Sequence, residues 1–183
     1  MSLKAIVRTI DALNERVGRA VSWLAIAMVF TTFVVAVLRY GFSLGWVWLQ
    51  ESYVWTHGII FMVAAGYTLL HEGHVRIDIV YASVSARAKA WINLLGVMFL
   101  LMPALGVIWW GAYPYVLLSW HRLETSREAG GLHGLFLWKT SMLVFIILLG
   151  LQGIALAIRS LMVLRGHAEW DPSQRDSDGG IGV

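Results

Sequence analysis

Four long apolar blocks divide the chain. Residues 20–38, 52–70, 91–120 and 140–158 contain no lysine, arginine, aspartate or glutamate. Because about 20 consecutive apolar residues cross the hydrocarbon core of a bilayer as a helix, each block is long enough to span a membrane. The pattern therefore predicts an all-α membrane protein with one four-helix transmembrane domain, residues 20–165. The spans are expected near residues 20–39, 52–71, 90–120 and 138–162.

The segment before the first block, residues 1–19, has the pattern of an amphipathic helix. Its apolar residues recur every three or four positions, with basic residues between them. Such a helix can lie in the membrane interface, where anionic lipid attracts its cations. The alternative is a solvated helical extension of the first span. The apolar positions are Leu3, Ile6, Val7, Ile10, Leu13 and Val17.

Two segments within the pattern are unusual. Residues 40–50 are uncharged and rich in aromatic side chains, which favours a short interfacial helix or a tight re-entrant corner between the first two spans. The third block would reach roughly 45 Å as a straight helix, against a hydrocarbon core of about 30 Å. Pro103 and Pro114 each remove a helix hydrogen bond, so we expect bends at these two positions.

Composition agrees with the pattern. The chain is 58% hydrophobic and only 14% charged, which excludes a soluble domain of ordinary composition. It has no cysteine, which excludes disulfides, thiolate metal sites and a cysteine nucleophile.

The first block is longer than a usual signal sequence, and Arg39 follows it instead of a cleavage site. Residues 166–183 are polar and are expected to form a disordered cytoplasmic tail.

The positive charges are distributed unevenly between the predicted loops. Ten of the 14 lysines and arginines fall before the first span, between the second and third, or around and after the end of the fourth. Since cytoplasmic loops are enriched in these residues, both termini are predicted to be cytoplasmic. Residues 41–50 and 121–137 would then face outward, and the second of these could touch a soluble partner or be simply solvated.

The sequence HEGHVRIDIV, residues 71–80, concentrates ionisable groups after the second span. Zinc proteases place two histidines four positions apart, whereas His71 and His74 are three apart with no further ligand cluster, so no metal site is expected. We interpret the stretch as a structural turn. Gly73 is expected to take the left-handed conformation that often ends a helix.

A haem-binding bundle is a second alternative, and it would need two histidines facing each other at membrane depth. Only His57 lies inside a predicted span. Because an unpaired polar group in lipid is costly, His57 is expected to hydrogen-bond within the bundle or to another chain.

Further polar residues occur at or within the spans. Arg39 and Glu51 end the first span and begin the second, and a salt bridge between them is predicted. The alternatives are that the two side chains snorkel to separate water layers, or that they have a substrate role. Lys139 is expected to anchor the fourth span at the interface. Gln152 is polar within that span, and Gly153 with Ala157 permits close helix approach.

Several motifs together resemble the small, Q-type (DctQ-like) membrane subunit of the tripartite ATP-independent periplasmic (TRAP) transporters. They are VLRYGF around Arg39, WLQE from Trp48 to Glu51, and the pattern A-x-x-L–G-H-V-R-I-D-I-x-Y between Ala65 and Tyr81. The resemblance extends from about residue 15 to about residue 165. Gln50 departs from it, because a second acid is expected there, and the GGL at 130–132 with Lys139 is similar to a branch with a longer outer loop.

The resemblance implies a non-enzymatic permease subunit in the bacterial inner membrane. Such subunits scaffold a large multi-span subunit (M-type) that carries substrate and sodium, while a periplasmic substrate-binding protein delivers a carboxylate. Membrane lipid is the other expected partner; no cofactor and no nucleic acid are expected. The competing hypothesis is a haem b-type electron carrier or another four-helix membrane enzyme subunit. Residues expected to serve structure or partner contacts, and not catalysis, substrate or metal binding, are Arg39, Trp48, Glu51, His57, Gly73, His74, Arg76, Asp78, Lys139 and Gln152.

Overall fold

The structure is a computed structural model that describes residues 3–73, 84–167 and 170, and this part of the chain is helical apart from its turns. Four helices are long and apolar enough to cross a membrane: Leu3–Phe42, Val47–Leu70, Ala86–His121 and Leu135–Leu164. The predicted fold class, all-α with four spans, is confirmed. The elements are α1 (Leu3–Phe42), α2 (Val47–Val63), α3 (Ala65–Leu70), α4 (Ala86–Gly96), a π-helical turn (Val97–Leu101), α5 (Met102–His121) and α6 (Leu135–Leu164).

Successive spans run in opposite directions, so the bundle has two ends. We call the end that carries Leu3, His71 and Leu164 the N-terminal end. The opposite end, which carries residues 43–46 and 122–134, is called the loop end.

The first span and the segment before it form one helix of 40 residues. Residues 3–19 are helical as predicted, but they continue directly into the span. Their apolar face is not solvated, because Val7 and Ile10 are buried in a cluster with Ala155 of α6. The side chain of Trp170, within the stretch expected to be disordered, packs against the same cluster; residues 168–169 and 171–183 lie outside the described part.

The connection between α1 and α2 is a tight corner, the second of the two predicted possibilities. It occupies residues 43–46, with Ser43 at a φ of 55°. The amide of Leu44 donates a 2.9 Å hydrogen bond back to the carbonyl of Leu38 and so closes the end of α1. No separate helix forms within these described residues, and α2 begins at Val47.

The third span contains an irregularity at the first of its two prolines. Pro103 lies at the beginning of α5, directly after the π-helical turn. At the end of this turn the amide of Met102 donates to the carbonyl of Val97, five residues earlier. A π-turn accommodates the hydrogen bond that proline cannot make and widens the helix locally. Pro114, by contrast, lies inside a continuous α5.

Helix α6 is the central helix of the bundle. Of its most apolar 18-residue window, 39% is buried, against 6% to 11% for the other three spans. Its Ile146 and Leu149 join Ala65 of α3 and Leu105 and Ala112 of α5 in the main apolar core. The close helix approach predicted at Gly153 is present, since a Cβ atom there would lie 2.7 Å from the side chain of Leu101.

Candidate functional site

A buried polar network links α1 to α6 at the N-terminal end. Asn14 and Gln152 are each 1% exposed. The Nδ2 atom of Asn14 donates to Gln152 Oε1 over 2.9 Å, and Gln152 Nε2 donates to Asp11 Oδ1 over 3.2 Å. Arg159 donates to the other carboxylate oxygen of Asp11. Burying polar groups costs their hydration, and hydrogen bonds to the facing helix offset part of that cost here, although Asn14 Oδ1 has no partner among the described residues.

Two glycines bring α1 and α3 into close contact beside this network. A Cβ atom on Gly66 would overlap Asn14 Oδ1 and lie 3.0 Å from the backbone oxygen of Leu148. A Cβ atom on Gly18 would overlap the ring of Tyr67. The absence of side chains at these two positions therefore determines how closely the first two spans approach.

The end of α3 is also connected to α1. The carboxylate of Glu15 accepts from Arg19 Nε at 2.6 Å and lies 2.7 Å from His71 Nε2. The ring of His71 packs on that of Tyr67, with centroids 4.4 Å apart. These contacts hold the beginning of the HEGHVRIDIV stretch against the first span.

The prediction of a left-handed Gly73 is wrong by one residue. Glu72 has the positive φ of 53°, while the amide of Gly73 donates to the carbonyl of Thr68 over 2.8 Å. The amide of Glu72 donates to the carbonyl of Leu69. These two bonds form the Schellman motif that ends many helices. In this motif the left-handed residue is the one before the donor of the longer-range bond, which here is Glu72.

Glu51 fastens the loop end, but not through the predicted salt bridge. Within residues 3–73, 84–167 and 170, no ion pair links Arg39 to Glu51. The Glu51 carboxylate accepts from the hydroxyl of Ser126 and, over 2.6 Å, from the backbone amide of Leu132. Arg39 is exposed to solvent or lipid. The physical reason is that the loop after α5 folds over α2 and brings two neutral donors, the Ser126 hydroxyl and the Leu132 amide, within hydrogen-bond distance of the carboxylate.

A second carboxylate in this loop binds Lys139. Glu124 Oε2 accepts from the ammonium of Lys139 and, over 2.7 Å, from the hydroxyl of Ser119. The Lys139 ammonium also lies 4.0 Å from the centroid of the Tyr115 ring. Hydrogen bonds from Lys139 and then Ser119 hold the pKa of Glu124 below its usual value. Lys139 is 4% exposed, so the expected interfacial anchor is instead a buried partner of the loop.

The remaining predicted residues differ in their exposure. Trp48 lies exposed in the first turn of α2, and His57 is exposed in the middle of the same span. None of the described residues hydrogen-bonds to the His57 ring. His74, Arg76 and Asp78 lie outside the described residues. In the described part, no three His, Asp or Glu side chains gather closely enough to hold a metal ion.

Sequence reasoning missed most partners in both networks. Asp11 and Asn14 were not singled out from the sequence, Arg159 entered only through the distribution of positive charge, and Glu124 and Ser126 only as part of the outer loop. One signal was available: Asp11, Asn14 and Gly18 share one helix face, as do Gln152 and Arg159, by their spacings of three, four and seven. The sequence does not show that these two faces pack against each other.

The sequence model of one protein family, described as "Tripartite ATP-independent periplasmic transporters, DctQ component", matches residues 28–165. No curated protein and no solved structure matches the chain. The family match covers all four spans except the first part of α1, and it favours a transporter component over the electron-carrier alternative.

Proposed function

Because this chain belongs to the family of DctQ components of TRAP transporters, we propose that it scaffolds the large permease subunit of such a transporter. In this proposal the large subunit carries substrate and sodium, and a periplasmic binding protein delivers a carboxylate. The chain is thus a small permease subunit and a multi-pass membrane protein; its role is to hold the large subunit in place in the bacterial inner membrane.

The observation that carries the scaffold role is the position of the polar contacts. They form two networks, one towards each end of the helices, in which the side chains bond to one another. Between them the packed core is apolar, formed by residues such as Ala65, Leu105 and Ile146. Helices fastened in this way towards both ends are suited to a rigid supporting role.

The outward surface supports the same proposal. Large apolar side chains are exposed along every span, among them Phe33, Phe61, Val107 and Ile147. In a bilayer this surface contacts lipid or another membrane protein. A small bundle with this much apolar surface can add a broad supporting wall to a larger neighbour.

The distribution of lysine and arginine supports the orientation. In the proposed topology the N-terminal end is cytoplasmic and the loop end faces the periplasm. The loop then presents Arg122 and Arg127, both exposed, towards the compartment of the binding protein, while Glu124 is engaged by Lys139. Since the chain lacks cysteine, single cysteines at Ala129 and His167 can be labelled selectively. An impermeant maleimide should label only the first in intact cells; labelling only the second would reverse the orientation.

Reconstitution tests the scaffold proposal. The chain, the large subunit of its transporter and the binding protein are combined in a reconstitution, with the membrane subunits in liposomes under a sodium gradient. We expect carboxylate uptake only when all three components are present, and none from this chain alone. Sodium-driven uptake by the purified chain alone would overturn the proposal, and so would full uptake without it.

A further inference from the structure

One narrow face of the second span is exposed. Of residues 49–70, all of which are described, only Val54, His57 and Phe61 are exposed. They are three and four positions apart and so form one stripe along the helix. The helix side that carries Trp55 and Gly58 faces α6. There Trp138 Nε1 donates to the Trp55 carbonyl over 2.9 Å, and a Cβ atom on Gly58 would lie 2.7 Å from the Trp138 ring.

His57 places a polar ring at the middle of this stripe. In the 24-residue helix Val47–Leu70, a rise of 1.5 Å per residue puts it roughly 15 Å from one end and roughly 20 Å from the other. An imidazole is too short to reach the headgroups from this depth, unlike a lysine or arginine side chain. Among residues 3–73, 84–167 and 170, no group hydrogen-bonds to the ring.

Thr32, an exposed polar residue of the first span, does not raise this difficulty. Its hydroxyl donates to the carbonyl of Met28 in its own helix over 2.8 Å. It is satisfied without a second helix and can face lipid. The imidazole of His57 has both a donor and an acceptor nitrogen, and lipid tails offer neither complement.

We propose that the stripe Val54–His57–Phe61 is a docking face for a transmembrane helix of the large permease subunit. That helix presents a hydroxyl, amide, carboxyl or free carbonyl group to His57 at mid-membrane depth. The apolar residues on either side of His57 require an occupant that is itself embedded in the membrane. The inference rests on the proposed function, because that function supplies a second membrane component. It adds the contact face and the hydrogen bond at its centre.

Photo-crosslinking in the assembled complex tests the contact. Benzoylphenylalanine replaces His57, Val54 or Phe61 one at a time, and membranes are irradiated before purification. Adducts to the large subunit from these positions are expected. Adducts only to lipid, or only to a second copy of this chain, would overturn the docking face. The substitutions at 54 and 61 keep His57 intact, so the test does not depend on one variant folding.

Substitution tests the hydrogen bond. His57→Leu should weaken association with the large subunit about 3- to 30-fold, the range expected for one lost interhelical hydrogen bond in a bilayer. His57→Gln keeps a donor and an acceptor and should retain most of the association. Thr32→Leu, which removes an exposed hydroxyl already bonded within its own helix, is the matched control and should leave association unchanged. Equal association of the Leu, Gln and wild-type proteins would overturn the hydrogen bond.

The two proposals fail in different ways. If the wild-type chain does not co-purify with the large subunit, the scaffold function itself fails. If the wild-type complex forms and transports, but position 57 neither crosslinks to the large subunit nor tolerates Gln better than Leu, only the docking face fails.

Discussion

The side-chain amide of Asn14 on α1 donates to the side-chain oxygen of Gln152 on α6 over 2.9 Å, and each residue is 1% exposed. This bond joins the segment before the first span to the central helix. The same Gln152 side chain donates from Nε2 to Asp11, and Asp11 is paired with Arg159, so the bond is continuous with this ion pair. The first helix is therefore held by more than apolar packing.

Removing one partner of this bond should destabilise the bundle. Asn14→Leu leaves Gln152 Oε1 buried without its donor, which costs about 1–3 kcal/mol. Because Gln152→Leu removes the same bond, the double variant should lose less stability than the sum of the single variants. The coupling should be about 0.6–1.7 kcal/mol, as found for other interhelical bonds in membranes. Thermal unfolding in detergent, followed by near-ultraviolet circular dichroism, measures both values; strictly additive losses would contradict the contact.

Gly66 should be more sensitive to substitution than an exposed glycine. A methyl group at Gly66 would overlap Asn14 Oδ1 and press on the backbone of Leu148, so Gly66→Ala should cost about 1–3 kcal/mol through overpacking. Gly106 on α5 has nothing within 4 Å of the same position and is the matched control. Gly106→Ala should be neutral or stabilise the helix by up to about 1 kcal/mol. Equal effects of the two substitutions in a thermal melt would contradict the packing.

The pair formed by Glu124 and Lys139 should make stability depend on acid pH. The folded-state pKa of Glu124 lies below the ordinary value of 4.5, first because Lys139 and then because Ser119 donates to its carboxylate. The contribution is therefore fully present above the unfolded-state pKa and is lost as the pH falls through the lower, folded-state value. Melting temperatures should differ between wild type and Glu124→Gln at pH 7, and the difference should shrink below about pH 4.

Glu128 supplies the control for this measurement. It is an exposed acid in the same loop, and Glu128→Gln should leave the pH profile of the melting temperature unchanged. A pH-independent difference between wild type and Glu124→Gln would rule out the charged pair as its cause.

Glu51 should protect the loop after α5 from proteolysis. It accepts from both the Ser126 hydroxyl and the Leu132 amide. Loss of charged acceptors of this kind favours local opening, so trypsin should cleave after Arg127 on the order of tenfold faster in Glu51→Gln. Arg39→Gln is the control, since Arg39 is exposed and has no bond to Glu51. Faster cleavage in the Arg39 variant would instead support the salt bridge that the sequence suggested.

The spans were predictable from the sequence because their signal is one-dimensional. A run of apolar residues long enough to cross a bilayer has few alternatives, since an unpaired backbone or charge in lipid is costly. The close approach at Gly153 was predictable for a similar reason: a small residue in a span permits packing whichever helix lies opposite.

The polar partners were not predictable, because they depend on the rotation of one helix against another. Nearness along the chain suggested Arg39 for Glu51, yet its donors are Ser126 and Leu132, more than 70 residues away. Lys139 was expected at the membrane interface because the sequence does not show which side chains the folded loop places beside it. Only the fold brings Glu124 over it and so makes its burial possible.

The π-helical turn beside Pro103 also sets which face of the third span is buried. The buried positions are separated by seven residues from Ala90 to Val97, by eight from Val97 to Leu105, and by seven again from Leu105 to Ala112. The single longer interval coincides with the turn, which takes up one additional residue without changing the side that faces α6. Deleting one residue between 97 and 101 would therefore remove the additional residue and let the turn become regular α-helix with the same side buried, whereas a deletion elsewhere in the span would rotate one half relative to the other by about 100°. Insertions and deletions in this span are thus constrained by phase as well as by length.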